Sequence, residues 1–132
     1  MADLNAVNPW TWQDALGFSQ AVDARGVQRV LYCAGQTSVD GDGHVVHAGD
    51  MAAQLTQAFN NLEAVLSQAG LTLASVVRLN YYVTDMQAFV DAAQVVGTLL
   101  QDCRVKPSGT LLGVVSLFHP DVLVEIEATA VA

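Results

Sequence analysis

Between Asp50 and Gly70 the apolar positions Met51, Leu55, Ala58, Phe59, Leu62, Val65, Leu66 and Ala69 recur every three or four residues. That spacing lines one face of an α-helix and predicts a helix over the whole stretch. Asp50 stands where a side chain caps the first turn, and Gly70 where a left-handed residue ends the last. From Val76 to Val83 the period changes to two. Val77, Leu79, Tyr81 and Val83 share one side, while Arg78, Asn80 and Tyr82 share the other, so a strand with unlike faces is expected. Asp85 begins a second predicted helix whose buried side carries Met86, Phe89, Val90, Ala93, Val96 and Leu100, and Pro107 stops anything helical. Two closing strands, about 110–117 and 122–131, meet at the turn Phe118-His119-Pro120-Asp121. In the last of them Val122, Val124, Ile126 and Ala128 form one face, and Leu123, Glu125, Glu127 and Thr129 form the other.

Upstream, a short segment from Ala15 to Val22 ends at Asp23-Ala24-Arg25-Gly26. Val27 to Ala34 follows with Val27, Val30, Leu31 and Tyr32, and the pair reads as a hairpin. Asp40-Gly41-Asp42-Gly43 is a turn. The order is therefore β-β-α-β-α-β-β, an α+β fold whose helices cover one face of the sheet and leave the other in need of a cover. Glu125 and Glu127 fall on that second face, where they must be solvated, paired with a cation such as Arg78, or set in a cleft. Trp10 and Trp12 share a side if the chain is extended after Pro9. They either cover the domain's own core or form an aromatic wall over a cleft.

A length of 132 residues makes this one domain, 1–132, with 1–14 as an N-terminal extension. Apolar residues form 52% of the chain and charged residues 14%, a surplus of apolar surface that points to a homo-oligomer. A formal net charge of −8 with five Lys and Arg argues against nucleic acid as a partner, because phosphate binding needs clustered cations. No apolar run approaches the ~20 residues that span a bilayer, and the N-terminus lacks a signal-peptide pattern, so the cytosol is expected and a membrane is not. Cys33 and Cys103 are isolated thiols. His44 and His47, in an aspartate-rich loop, have no fixed ligand geometry, and no metal or cofactor is expected.

Five blocks of the chain follow one another in a familiar order. They are Leu16-Gly17-Phe18-Ser19-Gln20-Ala21-Val22, Ala34-Gly35-Gln36, Gln54 to Leu66, Tyr82-Val83-Thr84-Asp85-Met86 and Val124-Glu125-Ile126-Glu127-Ala128. Together they resemble the Rid (RidA/YjgF) family of enamine/imine deaminases over about 15–132. The resemblance implies a chorismate-mutase-like fold and a homotrimer with a central barrel and clefts between subunits. It also implies cofactor-free hydrolysis of reactive enamines and imines to 2-keto acids and ammonia.

Carried over by position, the family's carboxylate-gripping arginine aligns with Gly109, its N-terminal tyrosine with Phe18, a serine with Ala34, a cysteine with Leu111 and an asparagine with Ala93. Glu125 is retained. The resemblance thus predicts a small-molecule pocket bounded by Phe18, Ala34, Gly35, Ala93, Gly109 and Leu111. It should be more apolar than the family's and suit a neutral or aromatic ligand. An arginine restored at 109 is expected to raise affinity for small carboxylates if the cleft is otherwise intact. Glu125 is the candidate general acid or base, Glu127 is expected to be structural, and main-chain groups near Gly35 and Gly109 would orient water. A non-catalytic binding module on the same scaffold is the alternative.

Overall fold

The computed structural model describes residues 2–132; Met1, at the start of the stretch read as an extension, lies outside them. Strand β1, Asp3–Val7, runs antiparallel to β2, Ala21–Arg25, with Asn5 opposite Asp23. The expected hairpin between 15–22 and 27–34 is therefore not formed. Gly26, at φ +67°, turns the chain away. Gln28 and Arg29 then donate main-chain bonds to the Ala132 carbonyl, which sets β3, Val30–Tyr32, against the C-terminal strand instead.

Helix α1, Met51–Gln68, is capped by the Asp50 carboxylate, which accepts from the Ala53 N–H at 3.0 Å. Gly70 lies at φ +77° just beyond it, as the left-handed turn requires. Leu55, Ala58, Phe59, Leu62 and Leu66 are fully buried against the main sheet. That sheet has the order β3-β6-β4-β5. Its long central members are β4, Val76–Val83, and β6, Val124–Val131, in antiparallel register with Tyr82 opposite Glu125 and Asn80 opposite Glu127. A bulge between Val76 and Arg78 shifts the alternation by one residue. Val76 takes the inward position assigned to Val77 and is 1% exposed.

The second predicted helix is two short ones, α2 (Met86–Ala92) and α3 (Gln94–Leu99). Ala93 and Val96 each donate to the carbonyl three residues back, and this tighter winding turns the second segment. Phe89, Val96 and Leu100 are buried as the pattern required, but Met86 and Val90 are exposed. β5 is only Leu111–Gly113 and runs parallel to β4. It does not form a hairpin with β6, because the crossover through α2 and α3 returns the chain in the original direction.

Gln54 is completely buried on α1. Its amide donates to the carbonyls of His47 (3.1 Å) and Asp121 (2.8 Å) and accepts from the Leu123 N–H (2.9 Å). This link fixes where β6 starts, and with it which residues of β6 face outward. Cross-strand pairing puts Tyr32 with Thr129, and Leu112 with Tyr82, on the face away from the helices. Tyr32 is 81% exposed there. Among the described residues no helix is long and apolar enough to cross a membrane.

Candidate functional site

The sequence candidates divide between the two faces of the sheet. On the helix side, Phe18, Ala93, Gly109 and Leu111 line one cavity of about 400 Å³, with Tyr81 and Phe89 as further walls. Phe18 is brought there by the turn at Gly17, φ +75°, and by the Ser19 N–H, which donates to the Pro107 carbonyl at 3.1 Å. Trp12 meets Phe18 edge to face at 5.8 Å, and Trp10 stacks on Trp12 at 6.5 Å. Both indoles are more than half exposed. They do not cover the domain's core, and they continue the aromatic surface outward from Phe18.

Gly109 has a main-chain role that alignment does not reveal. A Cβ built on it would overlap the carbonyl oxygen of Leu79. The strands are crowded here, and the Thr110 N–H bonds to the Asn80 Oδ1 at 3.0 Å. An arginine at 109 would have to move this backbone before its guanidinium reached any ligand. A gain in carboxylate affinity from such a replacement therefore depends on whether the strands can separate without disturbing the cleft.

Ala34, Gly35 and Glu125 lie away from that cavity. Gln36 exchanges both main-chain bonds with Ile126 (2.7 and 2.9 Å), and the Cys33 N–H reaches the Ala128 carbonyl at 3.0 Å. The Ala34–Gly35 segment is thus held along β6, on the edge of which the Glu125 side chain lies directly over Gly35. A Cβ on Gly35 would overlap the Glu125 Oε2, so the bare glycine makes room for the carboxylate.

Next to Glu125 on the open face is a polar network. Glu127 Oε1 accepts from the Tyr82 hydroxyl at 2.8 Å and from Asn80 Nδ2 at 3.2 Å. These bonds, the tyrosine's first, hold the Glu127 carboxyl below the usual carboxylate range, and the nearby Arg78 guanidinium acts in the same sense. The Tyr82 hydroxyl is pushed up chiefly by the same bond. Arg78 itself donates to the Thr110 hydroxyl at 3.5 Å and acts on Glu127 only through its charge. The alternating pattern put Arg78, Asn80, Tyr82 and Glu127 on one face, but the pairing of Asn80 and Tyr82 with Glu127 depends on the register of β4 against β6.

Residues 12–132 match the family model described as Endoribonuclease L-PSP. A RutC family protein of Aquifex aeolicus is 32% identical over 112 residues, which is 84% of this chain and 86% of that one. The Rid family protein YyfB from Yersinia pestis superposes with a TM-score of 0.89 at 34% identity, covering 98% of both chains. The chain belongs to the YjgF/RutC/Rid family. The structure of E. coli TdcF with bound serine matches with a TM-score of 0.70 at 25% identity over 97% of this chain and 91% of that one. The α+β fold is the Rid fold.

Within this Rid-family chain the loop histidines stand apart from both faces. Asp40, Asp42 and His44 bring potential ligand atoms within 4.8 Å of one another, all exposed. The Asp40 carboxylate accepts the N–H groups of Asp42 (2.9 Å) and His44 (3.0 Å), which accounts for the convergence and holds its pKa down. His119 accepts the Asp121 N–H at Nδ1, 3.0 Å, and thereby shapes the turn before β6. Sequence reasoning missed Tyr81, which it treated as a core position. Its ring packs between Phe59 (6.5 Å) and Phe89 (5.4 Å), and burial pushes its hydroxyl pKa well up.

Proposed function

We propose that this Rid-family chain is a small-molecule enzyme that hydrolyses or hydrates a reactive C=N or C=C bond, without a cofactor, in a cleft between the subunits of a homotrimer. The observation that carries this reading is the division of the site. The apolar cavity with Phe18, Ala93, Gly109 and Leu111 is behind the sheet, whereas Glu125 and Gly35 meet on its open face. A substrate that uses both must touch two copies. Glu125 then moves the proton to the nitrogen or carbon of the substrate, and the apolar wall excludes bulk water and favours an uncharged or aromatic molecule. The crowding at Gly109 supports weak handling of 2-iminopropionate, since a small carboxylate finds no cation in the cavity wall.

Relatives share the scaffold, and one of them was solved with serine, which fits a small ligand. The ribonuclease description of the family model fits this chain less well. Of its five Lys and Arg, Arg25 is bridged to Asp23 at 2.8 Å, Lys106 donates to the Leu100 and Cys103 carbonyls, and Arg78 lies by Glu127. The reading places the reaction in the cytosol, where the free thiols of Cys33 and Cys103 stay reduced. Ammonia release from a panel of neutral and carboxylated imines tests it. Turnover should favour neutral imines and fall at least tenfold in Glu125→Gln. If Glu125→Gln turns over every imine as the parent does, Glu125 is not the proton carrier; if neither releases ammonia above background, the chain is a binding module.

A further inference from the structure

The cavity behind the sheet contains a hydroxyl for which the fold has no use. Every sealed side-chain polar atom among the described residues has a hydrogen-bond partner. The Tyr81 hydroxyl has none, and burial alone accounts for its raised pKa. It is therefore not sealed, and Tyr81 is one of the residues that line the cavity. A phenol that packs between Phe59 and Phe89 and bonds to nothing is a poor structural choice. Phenylalanine would fill the same space without stripping water from a polar atom. The hydroxyl remains protonated far above neutral pH, so it can donate.

We infer that the cavity takes a neutral, planar molecule bearing one hydrogen-bond acceptor, a carbonyl oxygen or an imine nitrogen, and that the Tyr81 hydroxyl donates to that acceptor. This names the ligand class for the site of the proposed function and rests on that reading for the site's use. Phe18, Tyr81 and Phe89 supply flat walls on which a ring stacks. The lining holds no Lys or Arg, so an anion entering it would lose water with no compensating charge. About 400 Å³ is at the small end of the range for ligand pockets and suits a molecule with a single ring.

The test compares two probes of nearly equal shape, acetophenone and α-methylstyrene, in which a methylene replaces the carbonyl oxygen. Benzoate is the charged control. Dissociation constants are measured by calorimetry or ligand-observed NMR on the full chain and on Tyr81→Phe. The substitution should weaken acetophenone roughly three- to tenfold, the worth of one hydrogen bond, and leave α-methylstyrene within about twofold. Benzoate should bind more weakly than acetophenone to the parent chain. The melting temperature of Tyr81→Phe should be no lower than the parent's, which shows that the variant is folded. Equal effects on both neutral probes, no effect on acetophenone, or no saturable binding of either would overturn the assignment. The two ideas fail separately. Glu125-dependent turnover with no probe difference sinks the Tyr81 assignment alone, whereas a probe difference with no turnover of any imine sinks the catalytic reading alone.

Discussion

Gly35 and Gly109 both stand where a Cβ would collide, yet with different kinds of neighbour, and the difference decides what each substitution does. At Gly35 the obstacle is the carboxylate end of Glu125, which swings aside by side-chain rotation. Gly35→Ala should cost less than about 1 kcal/mol of stability while reducing turnover nearly as far as Glu125→Gln does. At Gly109 the obstacle is the main-chain carbonyl of Leu79, which cannot move without disturbing the sheet. Gly109→Ala should cost about 1–3 kcal/mol, and arginine there at least as much. Urea denaturation midpoints for the two alanine variants give the comparison. Equal midpoints would show that the strands at Gly109 have room to separate.

A residue's hydrogen bonds also set its response to acid. Tyr82 and Asn80 donate to Glu127 and keep its folded pKa below the unfolded value. The stability they contribute is present above the unfolded carboxylate pKa and disappears as pH falls through the depressed folded one. In Tyr82→Phe the larger donor is lost. The Glu127 carboxyl, followed by its carbon chemical shift, should titrate at higher pH than in the parent. An unmoved titration would mean that Asn80 and Arg78 suffice.

At the scale of the element, the features written locally were legible and those requiring a distant partner were not. Both helix caps, Asp50 and Asp85, accept from the N–H three residues on, as their positions suggested. A cap needs only its own turn. Which strand lies beside which depends on residues up to a hundred positions apart, and there the reading of β2, β3 and β5 failed. β2 met the N-terminal strand and β5 ran parallel to β4. The same distinction holds for the site. Of the residues that family resemblance grouped, Phe18, Ala93, Gly109 and Leu111 line one cavity while Ala34 and Gly35 lie apart from it. The free Tyr81 hydroxyl was invisible, because an apolar pattern assigns a tyrosine to the core without saying where its oxygen points. Gln54 shows what holds the elements in place. Gln54→Leu would strand the Asp121 carbonyl and the Leu123 N–H, and should cost about 2–4 kcal/mol in thermal or urea unfolding. A loss under 1 kcal/mol would mean that water replaces the amide.

At the scale of the whole molecule, the face away from the helices is the feature a single chain leaves unexplained. It mixes the Glu127 network with apolar side chains that have nothing to pack on. Tyr32 is 81% exposed and Leu112 48% exposed, and both lie on that face by register. The proposed homotrimer with a central barrel would cover such a face and at the same time bring one copy's Glu125 toward another's cavity. Tyr32→Arg separates these consequences from simple loss of fold. In an isolated chain the change is at the surface, and the cost should be within about 0.5 kcal/mol. In a trimer it sets three like charges against one another in a closing barrel, where partial desolvation magnifies the repulsion. Sedimentation should show the parent as a trimer and Tyr32→Arg as a monomer with unchanged far-UV circular dichroism. Imine turnover should vanish with the trimer, since each half of the site stays on its own protomer. A monomeric Tyr32→Arg that kept full activity would mean that one chain holds the complete site, and the division between the two faces would carry no functional weight.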